Sequence, residues 1–261
     1  MVLENLINFL DKNYHHKRII KYLKNHKIDL VIDAGAHKGE FLINIMPHIP
    51  FKKAYTFEPQ LEVFNILKKK LINDERIKHN NLALSEIIEK KKITINKLTS
   101  TSSLSEFDNS SVFLKIKNLL LRQKNEELNS YEVTTTTIDD YFEELDLSNS
   151  LLKIDVEGYE YNVLRGAKKI LASGDVVALI VELNGRGEEF GYSNEQIHQE
   201  IIAFGLFPIS YDPFTRSIKE LTTFNRKDPN NTIYIKDLSL ISERCEIAVK
   251  RTLHTANGIR I

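Results

Sequence analysis

The sequence predicts an open α/β fold: a mostly parallel sheet with helices on both faces and a ligand crevice at its strand ends. Three stretches carry this. Leu30–Asp33 is a short apolar run ending in an acid, followed by Gly35, Gly39 and the helically spaced Phe41, Leu42 and Ile45. That reads as buried strand, tight turn and helix. Lys53–Phe57 is a second strand, stopped by Glu58-Pro59. In Leu151–Glu157, which ends at Gly158, Lys153, Asp155 and Glu157 alternate against Leu152, Ile154 and Val156. The three ionisable residues therefore share one side of an extended chain, which is tolerable only at a strand end over a cleft.

Other elements follow the same periodicities. Leu3, Leu6, Ile7 and Leu10, then Ile19, Ile20 and Leu23, predict two short N-terminal helices, with His15-His16 between them as surface residues. Pro59 opens a helix with Leu61, Phe64, Leu67 and Leu71 on one stripe. Ile77–Ser85 reads as a third strand and its exit loop, Glu89–Lys92 as a charged turn, and Thr99–Ser105 as a Ser/Thr-rich loop. Val112–Leu128 suits a part-buried helix, Val133–Thr137 a strand, and Ile138-Asp139-Asp140 a helix start whose acids favour the dipole. One helix runs from Val163 to Leu171 and ends before Gly174. Val176–Val181 is a further central strand, leaving Glu182 and Asn184 at its exit. Ser193–Gln196 has capping-box form. Leu206–Tyr211 and Thr232–Ile235 are the last two strands, Pro208 pointing to an edge or a strand start. Asp212–Asn231 between them reads as a long polar loop, and Ile241–Leu253 as a helical patch in the tail. The boundaries are an N-terminal extension over 1–27, one domain over 28–237 and a tail over 238–261.

Bulk properties narrow the class. The 261 residues carry 36 Lys and Arg against 36 Asp and Glu, so no global charge draws the chain to nucleic acid or an anionic membrane. A charged fraction of 28% with 42% hydrophobic residues is that of a globular protein. A single Cys245 excludes an internal disulfide and a cysteine metal cluster. No apolar run approaches the ~20 residues of a membrane span, and the N-terminus lacks a signal-peptide core, so a cytoplasmic address is expected. A homodimer through the N-terminal helices or the tail stays open.

The opening motif alone is equally an ordinary turn with strain-relieving glycines. Glu58 shifts that balance, because it falls where a βαβ unit sets an acid beside a ribose diol. A dehydrogenase is disfavoured, since Gly35-x-x-x-Gly39 lacks the first glycine of G-x-G-x-x-G. The rival from another class is a non-catalytic cofactor-binding or assembly module of the same fold.

Asp33-Ala34-Gly35-Ala36-His37-Lys38-Gly39, Phe57-Glu58-Pro59, Thr137-Ile138-Asp139, and Lys153–Gly158 with Val163-Leu164-Arg165-Gly166-Ala167 resemble the motif set of the FkbM family of S-adenosylmethionine-dependent methyltransferases. The resemblance spans about Val31 to Asn184, and the Lys-Ile-Asp-Val-Glu-Gly stretch is its specific part. It implies a Rossmann-like seven-stranded sheet in the order 3-2-1-4-5-7-6, with one antiparallel strand inserted by the last hairpin. It also implies O-methylation of a hydroxyl on a sugar or a polyketide, foremost on a sugar of a surface glycan or its precursor. Backbone N–H groups of Gly35, Ala36, His37 and Gly39 would hold the amino-acid end of S-adenosylmethionine, with Asp33 meeting its ammonium. Glu58, with Pro59, would hold the ribose, and Leu82 and Ala83 would border the adenine. His37 stands where that family often has Asn. Asp155 is the candidate base and a cofactor neighbour, Lys153 tunes it, and Glu182 completes the catalytic set. No metal is expected; the alternative is a magnesium or manganese ion on Asp155, Glu182 and Asn184. The small-molecule or glycan acceptor would be read by Thr99–Ser111, the helix after it and Asp212–Asn231. Tyr159, Tyr161, Phe190 and Tyr192 are available to stack on a sugar ring.

Overall fold

The computed structural model describes residues 28–46, 49–95, 102–103, 129–212, 217–225 and 231–247. The expected N-terminal helices, the helix over Val112–Leu128, most of the Ser/Thr-rich loop and the end of the tail lie outside them. The first half contains β1 (Leu30–Ala34), α1 (Glu40–Ile45), β2 (Lys53–Phe57), α2 (Leu61–Leu71) and β3 (Ile77–Asn80). Next come β4 (Ala83–Leu84), β5 (Lys90–Ile95), β6 (Ser102–Ser103), β7 (Asn129–Thr136) and α3 (Ile138–Tyr141). Then follow β8 (Ser150–Ile154), α4 (Glu160–Arg165), α5 (Lys168–Ser173), β9 (Val176–Glu182) and α6 (Asn194–Ala203). The last elements are β10 (Phe207–Asp212), β11 (Ser217–Glu220), β12 (Asn231–Ile235) and α7 (Leu238–Ile247).

Among the described residues the central sheet has the order β11-β10-β12-β9-β8-β1-β2-β3. Its strands are parallel from β3 to β9, and β12 is antiparallel to both β9 and β10. Taking β8, β9, β10 and β12 as strands four to seven, this contains the expected 3-2-1-4-5-7-6 order. It departs from the expectation by an eighth strand, β11, and by a separate sheet in the order β4-β7-β5-β6.

Period-two burial divides the apolar residues between two faces. Leu30, Ile32, Leu152, Ile154 and Val181 pack with Ile138, Val163, Leu164, Ile170 and Ile197 on one side. Val31, Leu151, Ala54 and Ile180 pack with Leu42, Ile45, Leu67 and Ile241 on the other. Asp33 and Lys153 fall on the second face and are register partners on neighbouring strands.

Several local expectations are corrected. The polar stretch from Asp212 to Asn231 contains β11, because Ile218 pairs with Tyr211 and packs on the core. The supposed turn Glu89–Lys92 is mostly strand: β5 begins at Lys90, laddered to β7, with Lys90 Nζ 3.1 Å from a Glu132 carboxylate oxygen across the pair. The single helix expected after Gly158 is two. The Asp139 carboxylate accepts the backbone N–H groups of Lys169 (2.9 Å) and Ile170 (3.1 Å), which starts α5 afresh. The extended run through Glu157 stops at Ile154; Asp155 N donates to Ala34 O at 3.1 Å, and Glu157 turns the chain with φ +59°. The capping box at Ser193 is present, both hydrogen bonds included. Pro208 stands at a strand start rather than an edge, since β11 lies outside β10.

Candidate active site

The acids at the ends of β1, β2, β8 and β9 converge because these strands run parallel and stop at one edge of the sheet, where open α/β folds bind ligands. β1 feeds a turn in which Gly35 has φ +78°. A β-carbon there would lie 1.9 Å from the Asp155 carbonyl oxygen, so only glycine lets the two strand exits touch. Gly35→Ala is expected to lower stability by about 3 kcal/mol, from backbone strain plus overlap, and thermal denaturation measures it. An unchanged midpoint would show that the turn relaxes freely.

The amides of this turn are committed inside the protein. Gly35 N and Ala36 N donate to Phe57 O, and Gly39 N donates to Ala36 O. His37 N donates to Glu58 Oε2 at 3.0 Å, and Lys38 N to Glu40 Oε2 at 3.1 Å. Their acceptors are thus the neighbouring strand, the turn's own Ala36 carbonyl and two carboxylates. Glu58 is correspondingly tied, with Oε1 accepting from Gln60 N at 2.9 Å and Oε2 from His37. Each carboxylate oxygen keeps a second lone-pair site for a hydroxyl. Burial outweighs these hydrogen bonds and pushes the Glu58 carboxyl up to about 7. Asn81 Nδ2 bridges the Glu58 and Pro59 carbonyls at 2.9 Å each and fixes this corner, a role local sequence gives no hint of.

Below the rim lies a buried charge cluster. Asp33 is 0% exposed, and its Oδ1 is 3.5 Å from Lys153 Nζ; neither Asp33 oxygen has a hydrogen-bond partner among the described residues. Asp33 is thus sealed beside Lys153, its register neighbour, below the rim. Lys153 Nζ also stands 3.0 Å from Asp155 Oδ2 and 5.6 Å from the centre of the Phe41 ring. Burial disfavours the ammonium, but Asp155 and Asp33 outweigh it and Lys153 holds its proton more firmly than in water. Burial alone would raise Asp155; Lys153 overcomes it and keeps that carboxylate ionised.

Burial, then the Asp155 and Glu157 charges, pushes Glu182 up to about 8, and carboxylate oxygens of Glu182 and Asp155 lie within 4.8 Å of each other. Glu182 is therefore the protonated member of the pair at neutral pH. The folded chain holds this proton where the unfolded one, with an ordinary value of 4.5, has released it. Wild-type protein should thus lose stability relative to Glu182→Gln as pH rises from about 4.5 through about 8. Urea denaturation across that range measures the difference, and a flat one would mean Glu182 titrates as an ordinary carboxyl.

The third acid of the rim is Glu157, whose carboxylate oxygen lies within 4.8 Å of those of Asp155 and Glu182. Asn184, from the alternative metal trio, lies beside these acids: its Nδ2 donates to Glu182 Oε2 (2.9 Å) and its Oδ1 accepts Arg186 N (2.9 Å). Glu157 pairs with the Arg186 guanidinium and Asp155 with Lys153, so two of the rim acids already carry organic cations. Leu82 is half-buried and Ala83 buried, entering β4 next to the Glu58 corner. Tyr159 is unavailable for stacking: it is 5% exposed, edge-on to Phe190, and its hydroxyl accepts from Lys91 Nζ at 2.6 Å. Tyr161 and Tyr192 stack with ring centres 4.2 Å apart. Tyr161 lines a groove of about 410 Å³ with Ser193, Glu195, Gln196, Gln199 and Glu200.

A mostly parallel sheet with β12 inverted between β9 and β10, an added antiparallel β11 at its edge, and carboxylates at four of its strand exits, fits the Rossmann-like methyltransferase class of fold. The sequence profile described as the methyltransferase FkbM domain matches residues 33–206, and the chain belongs to that family. No curated protein matches it. The crystal structure of methyltransferase FkbM from Methylobacillus flagellatus KT is 14% identical, with a TM-score of 0.49; the alignment covers 80% of this chain and 44% of that one. This chain thus spans less than half of that protein's length. N-methyltransferase NodS from Bradyrhizobium japonicum WM9, in complex with S-adenosyl-L-homocysteine, is 8% identical over 86% of each chain, with a TM-score of 0.41. Fibrillarin from Aeropyrum pernix, with natively bound S-adenosyl-L-methionine, is 13% identical over 81% of this chain and 67% of its own, with a TM-score of 0.39.

Proposed function

We propose that this chain is an S-adenosylmethionine-dependent O-methyltransferase whose acceptor is a sugar hydroxyl of a surface glycan or its precursor. One observation carries the reading: Asp155, ionised and partly exposed at the rim, stands between Lys153 and the protonated Glu182, directly over the Gly35 turn. The crevice suits the cofactor by its chemistry. Its rim is rich in carboxylates, which favour a cation, and Glu58 has lone pairs left for a diol.

When bound, S-adenosylmethionine supplies a methyl group on a positively charged sulfur. The protein's own part is alignment, exclusion of water and removal of the hydroxyl proton. Asp155 Oδ accepts that proton. Lys153 keeps Asp155 ionised beforehand and orients its carboxylate through the 3.0 Å contact to Oδ2. A sugar fits the neighbouring surface: the Tyr161–Tyr192 stack offers an aromatic face, and the groove beside it is lined by amide and carboxylate side chains able to meet ring hydroxyls.

The test is a methyl-transfer screen of purified protein over sugars and nucleotide-linked sugar precursors, read by fragmentation mass spectrometry to place the new methyl on oxygen. An O-methylated product is the expected result. Cofactor binding with no transfer to any of these would leave a binding module of the same fold. Transfer to nitrogen would overturn the O-methyl assignment.

A further inference from the structure

We infer that Glu160 is a positioning residue: its buried carboxylate grips the backbone of the Asp155–Gly158 turn and thereby sets where Asp155 and Glu157 stand. The importance of that placement rests on the reading of Asp155 as proton acceptor; the grip itself does not. Glu160 is the first residue of α4, where an acid normally sits in water near the helix dipole. Here it is 2% exposed. Its Oε1 accepts from Val156 N at 3.1 Å and from Gly158 N at 3.0 Å, closing a ring around the turn from the chain's own next element.

The turn needs such a grip. Glu157 has φ +59° and Gly158 +107°, two successive residues in backbone that side chains disfavour. The turn is also packed from behind: a β-carbon at Gly158 would fall 2.9 Å from the Arg186 carbonyl oxygen and 2.8 Å from the Phe190 ring. Val156 N and Gly158 N therefore point inward, away from water, and one ionisable oxygen serves both. Burial pushes the Glu160 carboxyl up to about 7, while the two amide donors favour its ionised form, to which a hydrogen bond is stronger than to a neutral amide oxygen. Among the described residues Glu160 makes no hydrogen bond to a rim side chain; beyond the charge that Asp155 and Glu182 feel, it acts through the backbone that carries Asp155 and Glu157.

The test compares wild type, Glu160→Ala and Glu160→Gln by amide hydrogen exchange without cofactor or acceptor, and by kinetics with both. Val156 and Gly158 amides should exchange slowly in wild type and about ten- to a hundredfold faster in Glu160→Ala, the loss of two hydrogen bonds to a charged group. Glu160→Gln, which keeps a carbonyl oxygen in place, should restore most of the protection. kcat should follow the same order, with KM and S-adenosylhomocysteine affinity little changed. Should Glu160→Ala fail to fold, Glu160→Asp, whose shorter arm cannot reach both amides, takes its place. Amides as labile in wild type as in the variant, or a variant with labile amides and undiminished kcat, would overturn the inference. Slow wild-type amides in a protein that transfers no methyl group would instead refute the proposed function and leave the grip standing.

Discussion

Lys153→Met should cost about 3–5 kcal/mol of folding stability, the range for removing one partner of a buried ion pair. Lys153 is 8% exposed and Asp33 not at all, so water cannot replace the missing ammonium. The nearest cation to Asp33 is this one, at 3.5 Å. Asp33 would then be stranded as a charge and would take up a proton instead. Because that raises its folded pKa further above the unfolded value, the loss should shrink as pH is lowered. Adding Asp33→Asn to the variant should recover part of the stability, since the stranded carboxylate is then gone. Urea denaturation of the two variants at several pH values gives the answer. A single variant as stable as wild type at neutral pH would show that Asp33 and Lys153 do not support the fold as an ion pair.

Asp155→Asn should lower kcat by about 10²–10⁴-fold, the usual worth of a positioned base. The amide has the same shape and still accepts a hydrogen bond, so S-adenosylhomocysteine affinity measured by calorimetry should stay close to wild type. This separates the two roles the sequence suggested for Asp155. A parallel fall in affinity and turnover would assign it to holding the cofactor, and unchanged turnover would remove it from the chemistry. The Lys153 contact at 3.0 Å already argues that Asp155 is ionised and oriented before any acceptor arrives.

The central sheet was legible because it is made of apolar runs that end abruptly. Val31, Ile32, Leu151, Leu152, Val176 and Ala178–Val181 are buried, apolar runs of strand length rather than half-exposed alternation. The acids at the strand exits were legible for the same reason, since nothing in a core tolerates them elsewhere. What escaped the sequence depends on residues far apart along the chain. The break between α4 and α5 is made by Asp139, some thirty residues upstream of the amides it caps. The Gly35–Gly39 amides looked free only because Phe57 O and Glu58, across the βαβ unit, were not yet in view. Glu160 was hidden by a sound rule: an acid in a first helical turn is ordinarily a solvated dipole partner. Its burial, like the sealing of Asp33, follows from how the exits of β8 and β1 press together, and local pattern does not report that.

The edges of the sheet bear on how the chain can assemble. Each outer strand, β3 and β11, is four residues long. β11 exposes Lys219 and Glu220, and β3 exposes Lys78 and half-exposes His79. Short, charged borders of this kind are poor templates for pairing with a strand of another molecule. The eighth strand thus acts as a fender: it covers β10, which carries the apolar Ile209 and Tyr211, and leaves a polar margin in their place. Self-association by adding a strand of another copy alongside either edge of this central sheet is disfavoured.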